Sequence, residues 1–294
     1  MKKLALLLAA LGVVSAAAYA APELTVTNFG QSIETENVSG TYDIDDVWLW
    51  NTVGLKYDDW TFGLTAGKHW SVSDDEWKDA EGKVHDGIES TNHRLQFDVS
   101  KPITENLKLK GRYRGQKDFD RFQVGYDYSY GMFLSSGDFF YDSKNGEARD
   151  SVHAEWFPIG VKLGALQLKY YFEYNKNLGD IQFGKEEGSI EHQIRLYAPL
   201  YKGERLTLST EGRFTLTADK DFKEGENGKA TGYNRYDDFG RNRLYLKSNY
   251  AVSENLDVYL NVGYEIREFK GEDGAKDDNN KYWSNVAVGY NYKF

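Results

Sequence analysis

The chain has 294 residues, no cysteine and a formal net charge of −10, and 15% of its residues are Phe, Tyr or Trp. Without cysteine it has no disulfide framework, no site for a thiol-linked lipid and no cytosolic redox motif. The acidic balance argues against nucleic acid as a partner, whereas abundant aromatic residues favour half-buried β-strands. With only 4 prolines and no Pro- or Ser-rich linker, we interpret the chain as one domain.

The first twenty residues have the features of a secretory signal peptide. Two lysines at positions 2 and 3 precede an apolar run at 4–14, and Ala-Tyr-Ala at 18–20 matches a cleavage site. We therefore predict a signal peptide at 1–20 and a mature chain at 21–294, with a net charge that changes from −10 to −12 when the two lysines are lost. The apolar run is too short for a transmembrane helix and no later stretch reaches the roughly 20 apolar residues required. These lengths exclude a helical membrane protein.

Segments of alternating polarity recur through the mature chain. A two-residue period gives a strand one apolar and one polar face. The clearest example is the last segment, where every second residue from Val286 to Phe294 is Val, Tyr or Phe and the residues between are small or polar. The predicted strands are 23–34, 46–57, 60–70, 93–101, 107–115, 121–129, 132–142, 151–157, 165–176, 189–200, 205–218, 241–252, 256–269 and 282–294.

The lengths of the connections predict how these strands are arranged. Short connections at 58–59, 102–106, 130–131, 158–164, 201–204 and 253–255 take turns with long ones at 71–92, 177–188, 220–240 and 271–281. The link at 116–120 is an exception, because it falls on the long side and is hardly longer than a turn. We predict an all-β fold, a transmembrane antiparallel up-and-down β-barrel of about fourteen strands, with 12 and 16 as alternatives. Both chain ends then lie on the short-turn, periplasmic side.

Aromatic residues at the strand ends predict two girdles at the depth of the lipid headgroups. The predicted residues are Tyr57, Trp60, Tyr130, Tyr250, Tyr292 and Phe294 on the short-turn side, and Tyr113, Phe122, Tyr141 and Tyr174 on the opposite side. The alternative is that these aromatic residues pack the core of a soluble sandwich.

With its leader, its repeated amphipathic strands and its closing segment at 286–294, the chain resembles Gram-negative outer-membrane porins. In length, strand number and abundance of Tyr, Lys and Asp it is most similar to the fusobacterial major outer membrane protein type, and more distantly to the oligogalacturonate porin family. The resemblance implies a location in the cell outer membrane, contact with lipid and lipopolysaccharide, and assembly by the barrel-assembly machinery, which recognises the last strand. The resemblance leaves open whether the protein forms a homotrimer. The implied assembly signal comprises Val286, Val288, Tyr290, Tyr292 and Phe294.

The same alternation predicts which residues line the lumen. Every second residue from Lys108 to Arg114 is a base, and like charges at this spacing repel one another unless water screens them. The column therefore predicts a water-filled interior. The predicted pore-lining residues are Arg94, Lys108, Lys110, Arg112, Arg114, Arg121, Arg205, Arg213, Arg243, Lys247 and Arg267.

These features predict a porin that passes small hydrophilic solutes and ions by passive diffusion and needs no cofactor. Because inward bases outnumber inward acids, we expect a preference for anions or acidic oligosaccharides. The alternative is that the bases pair with inward Asp and Glu residues, which would stiffen the wall without making it selective.

Two other functions stay open. An adhesin or receptor acting through its extracellular loops is favoured only by the length of the segments 71–92 and 220–240. An omptin-like barrel protease would need a histidine beside an acid at the barrel mouth, and His69, His93 and the acids at 74–75 are the candidates. We expect no enzyme and no metal site, because the chain has no Gly-x-Ser-x-Gly elbow in a strand-to-helix context and no histidine pair with the spacing of zinc ligands.

Overall fold

The computed structural model describes residues 23–38, 44–78, 84–146, 148–180, 186–222, 235–270 and 281–294, and the predicted signal peptide lies outside them. In these ranges no helix has the length and apolarity needed to cross a membrane. The strands are β1 (Thr25–Asn37), β2 (Asp46–Tyr57), β3 (Trp60–Lys78), β4 (Val84–Pro102), β5 (Leu107–Gln116), β6 (Phe119–Tyr130), β7 (Phe133–Lys144), β8 (Ser151–Leu163), β9 (Leu166–Asn177), β10 (Glu186–Lys202), β11 (Leu206–Phe222), β12 (Arg235–Ala251), β13 (Leu256–Lys270) and β14 (Lys281–Lys293).

The strands form a closed barrel in which each strand pairs antiparallel with its neighbours in the sequence. The last strand closes the barrel on the first, with Gly30 opposite Asn291 and Ile33 opposite Val288. The Nδ2 atom of Asn28 also donates to Oδ1 of Asn291 at 3.0 Å across this seam. Closure leaves no edge strand with unpaired backbone groups. The predicted fold class, an up-and-down barrel of fourteen strands, is confirmed.

Short turns lie on the side of the barrel where β1 begins and β14 ends. They comprise residues 58–59, 103–106, 131–132, 164–165, 203–205 and 252–255. Two of them turn at a glycine in the left-handed region, Gly131 with φ 56° and Gly164 with φ 64°, a conformation that glycine adopts without steric cost. On the other side, residues 117–118 form an equally tight connection, as the short link at 116–120 predicts.

Two predicted connections are wrong. The segment 158–164 is not a turn, because β8 continues to Leu163 and accommodates Pro158 in a register shift between Trp156 and Ile159. Proline is tolerated at such a register shift, because it has no N–H to donate to the ladder. The segment 71–92 is not a long loop, because β3 extends to Lys78 and β4 starts at Val84.

The two faces of the wall differ in polarity. In a single sheet closed on itself nothing covers the outer face, so a side chain that is fully buried must point inwards. The most buried large side chains are Tyr171, Thr215 and Glu265, each 1% exposed, whereas Val124 is 66% and Val288 54% exposed. Polar groups inside and apolar groups outside reverse the arrangement of a soluble protein. This reversal argues against the soluble-sandwich alternative, and it is the arrangement that a barrel in a bilayer requires.

The predicted aromatic girdles lie at the two ends of the outer face. Most of their members are exposed: Trp60, Tyr130, Tyr250, Tyr292 and Phe294 on the short-turn side, and Tyr113, Phe122 and Tyr141 on the other. Tyr57 and Tyr174 are half-buried. Amphipathic rings at these heights suit the boundary between hydrocarbon and water.

Candidate functional site: the inner wall of the barrel

The register places the predicted cationic column on the inner face. Gln96 and Asp98 of β4 point inwards, because the alternate residues Leu95 and Phe97 are 49% and 38% exposed on the outer face. Since β4 and β5 pair with Gln96 opposite Arg114 and Asp98 opposite Arg112, the even-numbered residues of β5 share this face. The four bases from Lys108 to Arg114 thus all project into the barrel.

Acidic residues of neighbouring strands pair with three of these four bases. Arg112 Nε lies 2.5 Å from Asp98 Oδ1. Lys110 Nζ lies 3.0 Å from Asp127 Oδ1 and 3.2 Å from Asp138 Oδ1, and Lys108 Nζ lies 3.4 Å from Asp127 Oδ2. For these bases the structure supports the alternative in which inward charges neutralise one another across the ladder.

Two inward arginines instead contact amides and rings. Arg114 Nε donates to Oε1 of Gln96 at 3.2 Å. Arg94 Nε donates to Oε1 of Gln116 at 2.9 Å, and its guanidinium lies 5.0 and 4.9 Å from the centres of the rings of Trp48 and Trp50. Amides and aromatic rings satisfy hydrogen bonds or attract a cation, but they do not cancel its charge.

A carboxylate surrounded by three arginines dominates the opposite wall. Glu265 Oε2 lies 3.1 Å from Arg241 Nε and 2.5 Å from Arg243 Nε, and its Oε1 pairs with Arg267 Nε. The Glu265 side chain is 1% exposed. A carboxylate this deeply buried persists as an ion only when charged hydrogen bonds replace its water.

The remaining predicted pore-lining bases are also placed. Arg213 Nε and Lys247 Nζ each lie 2.6 Å from an oxygen of Glu211. Arg121 Nε lies 2.6 Å from Asp142 Oδ1. Arg205 departs from the prediction, because it lies exposed in the short turn at 203–205 and not on a strand.

Two of the cavities in the described part of the inner wall are lined by these charged residues. One of about 410 Å³ lies along the first half of the barrel and includes Thr52, Gly63 and Lys110 in its lining. The other, of about 190 Å³, lies between Glu155, Glu173 and the arginines around Glu265. The contacts that line both cavities join strands that are adjacent or separated by one strand, so the charges are arranged along the wall.

The histidines proposed for a protease do not come together. His69 and His93 lie on neighbouring strands, but His69 is opposite Asn92 and His93 is opposite Lys68, so the two rings lie on opposite faces of the wall. His69 instead bonds Asp46 Oδ1 at 2.8 Å and Thr91 Oγ1 at 2.7 Å. The candidate acids at 74–75 have side chains outside the described part of the structure.

Sequence reasoning missed the residues that surround the charged clusters. Trp48 and Trp50 were not singled out, and neither were His153, Glu155 and Glu173, although alternation marks them as inward once the strands are known. The sequence does not give the register between strands, and the register determines which residue each of these side chains faces.

The predicted assembly residues lie on the outer face of β14. Val286, Val288 and Tyr292 are 41%, 54% and 41% exposed, and the terminal Phe294 is 71% exposed. The ring of Phe294 packs edge-on against Tyr292, with ring centres 5.1 Å apart. Tyr290 is half-buried and tilts against Phe29 across the seam.

Comparisons with known proteins identify the fold but no family. No protein-family model matches the chain, and no curated protein sequence matches it. Among solved structures, the chain is similar to a bacterial polysaccharide outer membrane secretin, with a TM-score of 0.54 and 9% identity over 92% of this chain and 98% of that one. Lower scores are found for the CymD monoaromatic hydrocarbon channel (0.48; 9% identity; 93% of this chain and 89% of that one) and for an anion-selective porin from Comamonas acidovorans (0.46; 10% identity; 92% and 100%). The secretin comparison shows that the chain shares the fold of an outer-membrane β-barrel.

Proposed function

We propose that the chain is an outer-membrane pore through which small hydrophilic solutes and ions diffuse passively. The observation that carries this proposal is the inverted polarity of the barrel. Charged residues such as Glu265 and Glu211 are among its most buried groups, and the exposed outer face is apolar. An apolar exterior suits a bilayer, and an ionised interior needs either close pairing or water.

Strand number supports a pore of intermediate width. Eight strands enclose an interior that side chains alone can fill, whereas 16 to 18 strands leave a wide aqueous channel. From fourteen strands and inward side chains that pair along the wall, we infer a lumen narrower than that of a 16- to 18-stranded porin but wide enough for water and small solutes.

A weak anion preference follows from the bases that have no carboxylate partner among their described contacts. Arg94 and Arg114 contact amides and rings, and their positive charge therefore stays available to anions. The paired bases Lys110 and Arg112 contribute much less to the net field, because Asp98, Asp127 and Asp138 lie within 2.5 to 3.2 Å of them.

Conductance tests the pore directly. The mature chain, refolded in detergent and added to a planar bilayer, should give discrete, reproducible single-channel steps in KCl. A heat-modifiable, folded barrel that inserts into the bilayer but carries no current would overturn the proposal.

The proposal includes three further points that the resemblance implies: the assembly signal, the porin type and the oligomeric state. Assembly through β14 and the terminal Phe294, and membership of the fusobacterial porin type, are consistent with the fourteen-strand barrel. Trimerisation is a further prediction that gel filtration of the refolded protein checks. The adhesin and receptor alternative loses the predicted loop at 71–92, most of which belongs to β3 and β4, and residues 223–234 of its other segment lie outside the described part of the structure. The protease alternative loses its pair of histidines.

A further inference from the structure

Two carboxylates face each other directly on the inner wall. Glu155 of β8 and Glu173 of β9 are register partners, and His153, two residues before Glu155, lies on the same face. Its Nε2 atom lies 3.5 Å from Glu173 Oε1 and 3.9 Å from Glu155 Oε1. One imidazole nitrogen and two carboxylate oxygens thus lie within 4.8 Å of one another.

Among the described residues, the ion pairs of these two glutamates are with His153 alone, and no arginine or lysine lies within ion-pair distance of them. Like charges directly opposite each other destabilise a sheet. Arg121 is paired with Asp142 through two nitrogens. Arg195 lines the same cavity as the two glutamates, but its described contacts are the amide of Gln193 and the ring of Tyr171, so it offsets their charge only from a distance. A cation bound directly between the two carboxylates would offset the rest.

The imidazole is fixed and points towards the carboxylates. The ring of Phe140 stacks on His153 with centres 4.3 Å apart. His153 Nε2 is inaccessible to solvent and makes no hydrogen bond among the described residues. A buried ring nitrogen without a partner, aimed between two carboxylates, is an observation independent of the acidic pair itself.

The second carboxylate oxygen of Glu173 accepts a hydrogen bond from a buried tyrosine. Tyr171 Oη donates to Glu173 Oε2 at 2.6 Å, and Tyr171 is 1% exposed. Hydrogen bonds of this kind orient ligating carboxylates in metal sites.

We propose that His153, Glu155 and Glu173 bind a divalent transition cation of the Zn²⁺ type on the inner wall of the barrel. Ligand atoms at about 2.0 to 2.2 Å from Zn²⁺ and at tetrahedral angles lie about 3.4 Å apart, close to the 3.5 and 3.9 Å measured from the imidazole. One nitrogen and two oxygens suit such a cation better than Mg²⁺ or Ca²⁺, which take six or more oxygens. The remaining coordination positions face the lumen, where water or a solute anion completes them.

This site departs from the expectation of no metal. That expectation rested on the spacing of histidines along the sequence, whereas this cluster uses one histidine and forms through the pairing of β8 with β9. The proposal does not depend on conduction, because it concerns binding at equilibrium.

Titration of the refolded mature chain in detergent tests the site. Zn²⁺ binding is followed by calorimetry, and Co²⁺ binding by visible absorption, whose bands report the ligand geometry. H153Q, E155Q and E173Q should each weaken binding by at least about tenfold, since loss of an outer-shell partner alone costs 10- to 100-fold. The matched controls are H192Q, on the outer face beside Tyr170, and E34Q, which removes another glutamate of the inner wall.

A second measurement covers variants that fold poorly. Without metal, E155Q removes one of the two facing charges and should raise the midpoint of thermal unfolding, while it abolishes the increase that Zn²⁺ causes in the unchanged chain. Equal Zn²⁺ affinity in the unchanged chain and in the variant with all three substitutions would overturn the proposal. So would a Co²⁺ spectrum that responds to H192Q but not to H153Q.

Discussion

Arg112 Nε donates to Asp98 Oδ1 at 2.5 Å, and the two residues are direct register partners on β5 and β4. This pairing shows that a base on the lumen side of a strand does not by itself make a pore selective. What matters is whether a carboxylate occupies the facing position. Of the predicted pore-lining arginines that lie on strands, Arg94 and Arg114 have no such partner among the described residues, and ion selectivity should therefore depend on them.

Selectivity should change when these two arginines are replaced. R94Q combined with R114Q should shift the reversal potential in a KCl gradient towards cation preference, because two positive charges leave the lumen without uncovering a carboxylate. The matched control is R112Q combined with D98N, which removes one charge of each sign and should leave the reversal potential nearly unchanged. A larger shift in the control than in the double arginine variant would contradict this assignment.

The buried Glu265 should be essential for stability. E265Q leaves three arginines without their shared carboxylate, and breaking a buried ion pair in this way costs about 3 to 5 kcal/mol. The free energy of unfolding in urea, measured in micelles or lipid vesicles, checks this. E254Q, in the exposed turn at 252–255, makes the same chemical change and should alter stability by about 0.5 kcal/mol or less. Equal stability of the two variants would contradict the role of Glu265.

A charged side chain on the outer face should destabilise the barrel more, the closer it lies to the middle of the bilayer. Val124 lies near the middle of β6 and is 66% exposed, so V124R should destabilise the barrel in lipid by about 2 to 4 kcal/mol. Met132 is exposed in the adjacent short turn, and M132R should cost about 1 kcal/mol or less. Unfolding in lipid vesicles measures both, and equal costs would mean that Val124 does not face hydrocarbon.

Phe294 should matter for assembly more than for stability. Its side chain is 71% exposed, so F294A removes little packing and should refold in detergent as well as the unchanged chain. In cells, the same variant should yield less heat-modifiable barrel in the outer membrane. Phe133, 51% exposed on the same side of the barrel, provides the control F133A. A normal cellular yield of F294A would argue against an assembly signal at this residue.

One carboxylate at the end of the barrel opposite the short turns should show a measurable pH effect. A hydrogen bond from the Tyr141 hydroxyl, assisted by the backbone N–H of Lys144, lowers the pKa of Asp150 below its ordinary value of 3.8. Because the folded-state pKa is lowered, this contribution to stability is present above the ordinary pKa and is lost as pH falls through the folded-state value. Y141F should raise the pKa of Asp150 towards 3.8, which NMR titration measures. An unchanged pKa would assign the shift to the backbone donor alone.

Alternating polarity alone predicts much of the barrel, and the segments where this prediction is wrong have a physical explanation. The apolar parity from Val286 to Phe294 specifies β14 because lipid meets every second residue. The last residues of β3, which ends at Lys78, and the first residues of β4, which begins at Val84, do not alternate in polarity. In the sequence these strand ends therefore resemble a loop. Pro158 misled for a different reason, because a register shift keeps it inside β8.

The site was predictable only in part for a related reason. Parity shows that Lys110 points inwards, but its partners Asp127 and Asp138 are set by the register of two further strand pairs. The same register brings Glu155 opposite Glu173. The spacing of residues along the chain does not encode which strand residues become opposite partners, so the charge pairs and the proposed cation site required the structure.

The seam between β1 and β14 sets the order in which the chain can fold. Asn28 and Asn291, bonded across it, are 263 positions apart, and bringing such distant ends together costs about 5 kcal/mol of chain entropy. Hairpins of adjacent strands can form earlier, because their ends are close in sequence. The barrel can close only when the last strand is available, and a chain that ends before Lys281 would keep two unpaired strand edges that are prone to aggregation.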